Sequence, residues 1–251
     1  MVPPCGLRID PDIHPDKEVT RLYHFKWPQV NIWALPKERD ESYHQHMFDA
    51  HAHIGDCKID NVFICTSSPS QYTVAKAFRY RAAGYLPESC EAMDETAMAE
   101  AAEEGFHIGE VGLDKRFPEM DKQEENLRKA LEIARDFDRI AVIHIVREYE
   151  RTRKIIEEMN IKRFLVHGWT GSYEEALLFI KLGAVISISP KAARAKSFPK
   201  LLTLPFVTET DMKTGLDEED ALRRWNEHLS QLTGFDTAER TEKIMKEMLC
   251  E

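Results

Sequence analysis

A chain of 251 residues that is 43% hydrophobic is long enough for one large α/β domain and too apolar to stay unfolded. Its formal net charge of -10 excludes a general nucleic-acid coat but leaves room for a local basic patch. There is no apolar run of membrane-spanning length, no charged-then-apolar leader after Met1, and no CxxC spacing among Cys5, Cys57, Cys65, Cys90 and Cys250, so the expectation is a cytoplasmic protein with reduced thiols and no membrane partner.

Residues 1–47 differ from the rest. Pro3, Pro4, Pro11, Pro15, Pro28 and Pro36 make up half of the chain's prolines, and no helical period runs through them. We read this stretch as a Pro-rich N-terminal arm and residues 48–251 as the catalytic domain. His44 and His46 read as surface residues of the arm.

From Met47 onward, runs rich in Val, Ile and Phe alternate with helical segments, the pattern of βα units around a parallel sheet. Strands are expected at 47–53, 62–66, 82–86, 107–113, 140–146, 164–169, 184–189 and 206–211. Helices are expected at 72–79, 94–104, 122–137, 148–160, 173–181, 218–233 and 237–249. In 122–137, Leu127, Ala130, Leu131, Ala134 and Phe137 form one apolar stripe. Eight strands with intervening helices predict a TIM-type (β/α)8 barrel. No GxGxxG and no GxxxxGK[ST] occurs, which argues against nucleotide-binding folds. Only residues 55–61 join the first strand to the second, too few for a crossover helix, so the arm is expected to cover the wall left bare.

The chemistry-bearing residues follow from the barrel. In an extended FDAHAHIG (48–55), Asp49, His51 and His53 leave one face and Ala50 and Ala52 the other. Active sites of such barrels gather at the C-terminal strand ends. Those ends hold His51 and His53 on strand one, Glu110 on four, His144 on five, His167 on six and Asp211 on eight. Each can ligate zinc, manganese or a similar divalent ion, and charged groups on buried strands are costly unless paired or metal-bound.

These residues also carry a resemblance. FDAHAHIG, GEVGLD (109–114), AVIHIVRE (141–148), FLVHGWTGS (164–172) and VTETD (207–211), with Gln123 after GEVGLD, resemble the motifs of TatD-type metal-dependent hydrolases, classed as deoxyribonucleases among the amidohydrolase-like barrels. The resemblance implies two divalent metal ions (Zn, Mn or Mg), one held by His51, His53 and Asp211, the other by His144 and His167, with Glu110 bridging. Asp211 would be the general base, with Glu110 as its catalytic partner. Glu209, two residues before Asp211 on the same face, would either orient a ligand histidine or form a buried salt bridge. The chain departs from the family at GYLP (84–87), where Leu86 replaces a usual histidine. It departs again at Arg147, one place later than usual, and after Asp211, where Met212–Asp217 replaces a Pro-containing loop.

Lys191, Arg194, Lys196 and Lys200 follow strand seven with no acid among them; Lys115 and Arg116 follow strand four and Arg147 strand five. Such a rim suits phosphate contacts, and Trp169 beside His167 could stack on a base. The expected function is therefore a two-metal hydrolase cleaving phosphodiester bonds of DNA, with Arg147, Lys191, Arg194 and Trp169 binding substrate. The alternative keeps the metal centre and acts on a small phosphoester, amide or ester, such as that of a misacylated tRNA. A non-catalytic barrel working through its arm is the third reading, and no protein partner is evident.

Overall fold

The computed structural model describes residues 47–55, 61–89 and 92–250. The expected N-terminal arm, His44, His46 and the covering of the first wall lie outside the described residues, apart from Met47.

Eight strands form one parallel sheet in sequence order: β1 (Asp49–Ala52), β2 (Val62–Cys65), β3 (Tyr80–Ala83), β4 (His107–Asp114), β5 (Ala141–Val146), β6 (Phe164–Val166), β7 (Ala184–Ile188) and β8 (Phe206–Thr208). The seam between β8 and β1 closes just past the strand ends. There Asp211 N donates to His51 O (3.1 Å), His53 N to Met212 O (2.8 Å) and Thr214 N to His53 O (2.9 Å). The result is the (β/α)8 barrel that the alternation predicts.

Helices wrap the sheet: α1 (Tyr72–Ala75), α2 (Glu95–Glu103), α3 (Met120–Asp136), α4 (Tyr149–Glu158), α5 (Tyr173–Lys181), α6 (Phe198–Leu201), α7 (Leu216–Thr233) and α8 (Thr237–Leu249). Side chains set several starts. Asp94 accepts from Ala97 N at α2, Ser172 and Glu175 form a capping box at α5, and Asp236 accepts from Ala238 N and Glu239 N at α8. The α3 stripe buries Leu127, Ala130, Leu131 and Ala134, but Phe137 falls at the C-cap and is exposed.

Two cores result. Inside the barrel, Phe48, Ala50, Phe63, Cys65, Tyr80, Ala82, Ile140, Val142, Leu165, Val185 and Val207 pack with Met245 and Met248 of α8. A larger outer core lies between strands and helices. Each large apolar side chain so buried contributes about 1.5–3 kcal/mol.

The first helix ends at Ala75 rather than at 79, and the other main departures from expectation occur near the mouth. The third strand lies at 80–83 rather than 82–86, because Tyr80 and Ala82 ladder with β2 while the chain leaves the ladder at Gly84. A Cβ on Gly84 would lie 1.9 Å from Thr66 O and 2.4 Å from Glu110 N. The sixth and eighth strands end at Val166 and Thr208, so His167 and Asp211 stand just past the ladder. After β7 the chain forms a 3-10 turn (Pro190–Arg194) and α6, neither anticipated. Only residues 53–61 separate β1 from β2, and the described part of that link, 53–55 and 61, is not helical.

Candidate metal centre

Two one-residue insertions in the ladder shape the site. Asp49 pairs with Val62 and Ala52 with Ile64, so β1 spends three steps where β2 spends two. In the same way Ile108 pairs with Ala141 and Val111 with Ile143 across β4 and β5. Such bulges re-aim side chains. In β1 the expected common face of Asp49, His51 and His53 is broken, since Ala50 joins the inner core while His51 and His53 enter the mouth. The Asp49 carboxylate instead accepts from His51 N (3.1 Å), Thr210 N (3.1 Å) and Thr210 Oγ1 (2.6 Å), tying the seam together. Burial, with Asp49 beside it, pushes Glu218 of α7 up to about 10, so that Glu218 stays protonated. In β4 the bulge is made by Gly109, whose φ is 139° and whose added Cβ would lie 2.6 Å from Val142 O and Cβ. Its neighbour Glu110 turns into the mouth.

Glu110 is the hub. Its Oε2 lies 3.4 Å from His51 Nε2 and 3.7 Å from His53 Nε2, and its Oε1 lies 2.5 Å from His144 Nδ1 and 2.7 Å from His167 Nε2. Asp211 Oδ1 completes the first side, 3.8 Å from His51 Nε2 and 3.3 Å from His53 Nε2. Asp211 holds a left-handed φ of 57°, a conformation that persists where surrounding contacts over-determine it. His51, Glu110 and His167, and His51, His53 and Asp211, are groups whose ligand atoms lie within 4.8 Å of one another.

The outer ring nitrogens are held in turn. His53 Nδ1 meets Cys65 O at 3.2 Å, His144 Nε2 meets Asp114 Oδ2 at 3.1 Å, and His167 Nδ1 faces Glu209 Oε1 at 3.7 Å. Glu209 is fully buried and accepts from Ser187 Oγ. Sequence reasoning gave Asp114 no role. The available signal was its spacing, since Asp114 follows Glu110 by four places on one strand and so shares its face.

The donor set fits divalent cations. Both ring nitrogens of His51 are buried without a hydrogen-bond partner among the described residues. The separations of 3.3–3.8 Å around His51, His53, Glu110 and Asp211 approximate the edge of about 3.4 Å in a tetrahedral shell with bonds of about 2.1 Å. Electrostatics agree. Burial disfavours a charged Glu110, yet His167, His144 and His51 outweigh it and hold its carboxyl well below the usual range. Burial likewise opposes charge on Asp211, and His53, His51, His167 and Lys191 overcome it. Burial opposes protonation of His53, His144 and His167, but the carboxylates beside them raise all three. Burial lowers His51. The same carboxylates that favour positive charge on these three imidazoles would also favour a divalent cation among them.

The expected substrate residues scatter. Lys191 forms an ion pair with Asp211 Oδ2. Arg147, at φ 61° just past β5, and Arg194 are exposed and have no ion-pair partner among the described residues. Lys115 reaches Glu148 at 3.8 Å, and Arg116 is bound to Asp114. Trp169 does not present a stacking face. It is 1% exposed, packed in the outer core against Phe179 and Tyr149 with ring centroids at 5.4 and 5.0 Å. A large aromatic buries more apolar area there than at a wet rim.

Comparison with known proteins matches residues 61–248 to the family described as TatD related DNase, a stretch that begins after His51 and His53. An uncharacterized metal-dependent hydrolase of Methanocaldococcus jannaschii is 29% identical over 194 residues, 65% of this chain and 77% of that protein. The uncharacterized metal-dependent hydrolase YjjV of Escherichia coli is 27% identical over 113 residues, 41% of this chain; the match spans 44% of that protein, less than half its length. The crystal structure of YjjV superposes with a TM-score of 0.65 at 19% identity, covering 74% of this chain and 85% of that one. A hydrolase TatD family protein from Entamoeba histolytica superposes at 0.63 and 13% identity, over 74% and 83%. With most of its length matched by the family model and the same barrel in both neighbours, the chain belongs to the TatD-related DNase family of metal-dependent hydrolases.

Proposed function

We propose that the protein is a two-metal hydrolase that cleaves phosphodiester bonds of DNA in a reducing, cytoplasmic setting. The observation that carries this reading is the division of labour at Glu110: one oxygen faces His51 and His53, the other His144 and His167. His51, His53 and Asp211 would hold one ion, His144 and His167 the other, with Glu110 shared between them. Bound there, such ions would supply positive charge to the attacking and leaving oxygens and acidify a water. The chain's own residues do the rest. Asp211 presents Oδ1 to the imidazoles and Oδ2 toward Lys191, and as general base it accepts the proton of the attacking water. The carbonyl of Cys65 and the carboxylate of Asp114 fix two of the imidazoles, leaving His53 Nε2 and His144 Nδ1 turned toward the centre. Arg147 and Arg194 are exposed cations available to a phosphate backbone, and Lys191 would join them on leaving Asp211.

Reloading the purified protein with magnesium, manganese or zinc should restore degradation of DNA, and the double substitution His51→Ala/His53→Ala should abolish it. Equal activity in that double variant would refute the assignment. A second reading has specific support, namely the same centre acting on a small phosphoester, amide or ester, including a misacylated tRNA. The chain after Asp211 is pinned to β1, Leu86 stands half-buried after β3, and Trp169 faces the core, so the rim offers little for stacking bases. Turnover of small esters with single- and double-stranded DNA left intact would select it.

A further inference from the structure

Among the four imidazoles at the centre, His144 alone has its outer nitrogen within hydrogen-bond distance of a side chain, and that side chain is itself held by an arginine at the rim. Asp114 ends β4 and is 0% exposed, whereas the Arg116 side chain is 61% exposed. Gln123 fixes the Asp114 backbone, its Oε1 accepting from Asp114 N (2.8 Å) and its Nε2 donating to Asp114 O (3.2 Å). Among the described residues the carboxylate has two kinds of partner. Arg116 N donates to Oδ1 (2.9 Å), Arg116 Nε donates to Oδ1 and Oδ2 (2.9 and 3.0 Å), and the terminal nitrogen Nη2 donates to Oδ2 (2.5 Å). The other partner is His144 Nε2, 3.1 Å from the same Oδ2.

A carboxylate withdrawn from water stays ionised only if paired, and a guanidinium fork fixes its plane as well as its charge. Here the fork holds Oδ2 against His144 Nε2, an arrangement that favours a proton on that nitrogen, with Nδ1 facing Glu110 Oε1. The clamp reaches only one side of the centre. His53 leans on a main-chain carbonyl, and Glu209 stands 3.7 Å from His167. We infer that Arg116 is a positioning residue that acts through Asp114 on His144 and so sets the affinity of the His144–His167 half of the centre. This rests on the two-cation reading above. Among the described residues Arg116 contacts none of the ligand atoms; its other neighbours there are the Phe117 ring, 5.7 Å away, and the charge of Glu88.

The test uses the full chain with Arg116→Met and Arg116→Lys, both at an exposed position. In the metal-free protein, imidazole nitrogen NMR should show the His144 Nε2 proton exchanging slowly with water in wild type and about tenfold faster in Arg116→Met. Arg116→Lys, which keeps the charge but loses the fork, should lie between them. Zinc titration against a chromophoric chelator should then show one class of site weakened about tenfold in Arg116→Met and the other unchanged. Unaltered exchange in Arg116→Met, or equal weakening of both classes, overturns the inference. A wild type with a single class of ion would instead sink the two-cation reading, and the exchange rates would still decide the role of Arg116.

Discussion

Glu110 concentrates the site's chemistry in one residue, and the residues behind it decide whether that chemistry is available. Burial among four imidazoles penalises the charge of Glu110, and its contacts with His167, His144 and His51 offset that cost, so its position depends on what holds each ring. Glu209 is the clearest case after Asp114. Its Oε1 and His167 Nδ1 are both buried, both without a hydrogen-bond partner among the described residues, and 3.7 Å apart. Glu209→Gln keeps the shape and the Ser187 contact but removes the charge facing His167. It should lower metal affinity about 10- to 100-fold with the fold intact. A chelator competition giving wild-type affinity would show that Glu209 serves only the packing around Ser187. The ligands themselves were legible in the sequence because histidines and acids on apolar strands have few other uses. Their supports were harder to see. Asp114 ends a strand as any capping acid does, and nothing in the spacing of Trp169 distinguishes a buried indole from a stacking one.

The strands carry the ligands because two of them depart from regularity. Alternation alone put Asp49, His51 and His53 on one face, and the bulge in β1 broke that set without altering any residue's hydropathy. A bulge inserted among Ala50, His51 and Ala52 leaves no compositional trace, since small residues suit either side of the sheet. Gly109 is the exception, a glycine whose role is visible once its backbone is known. Gly109→Ala would force a β-carbon into Val142 at a φ that L-residues avoid. We expect a loss of roughly 3 kcal/mol or more in urea unfolding, with Glu110 displaced and metal affinity reduced in parallel. A variant as stable as wild type would mean that β4 can relax without its bulge. The alternation of strand and helix, by contrast, survived translation into structure almost intact. It is set by burial on both faces of the sheet, which tolerates shifts of a few residues at each end. The strand ends were least legible, because the last residues of β3, β6 and β8 trade ladder hydrogen bonds for positions at the mouth.

At the scale of the whole barrel the two ends have opposite electrostatics. The mouth gathers carboxylates and raises His53, His144 and His167 beside them; the base, where Met245 and Met248 of α8 pack, surrounds His107 with Arg139, Arg163 and Arg81. Burial first, then those three guanidinium groups, push His107 down from 6.5 to about 4, and its Nδ1 accepts from Ile140 N at 3.2 Å. The folded state therefore keeps His107 neutral where the unfolded chain would protonate it. A depressed folded pKa contributes stability that is complete above 6.5 and lost as pH falls toward 4, because the unfolded state binds the extra proton in that window. Integrated over the interval, the loss is about 3 kcal/mol, with a slope approaching 1.4 kcal/mol per pH unit. The raised histidines at the mouth have the opposite sign, so the raw pH profile mixes both ends. Comparison with His107→Asn separates them, since the Asn Oδ1 can still accept from Ile140 N but cannot titrate. Urea unfolding from pH 7 to pH 4 should show wild type losing about 3 kcal/mol more than His107→Asn. Parallel profiles would mean that the three arginines do not confine His107 to its neutral form, and that the base of the barrel is no more positive than the solvent around it.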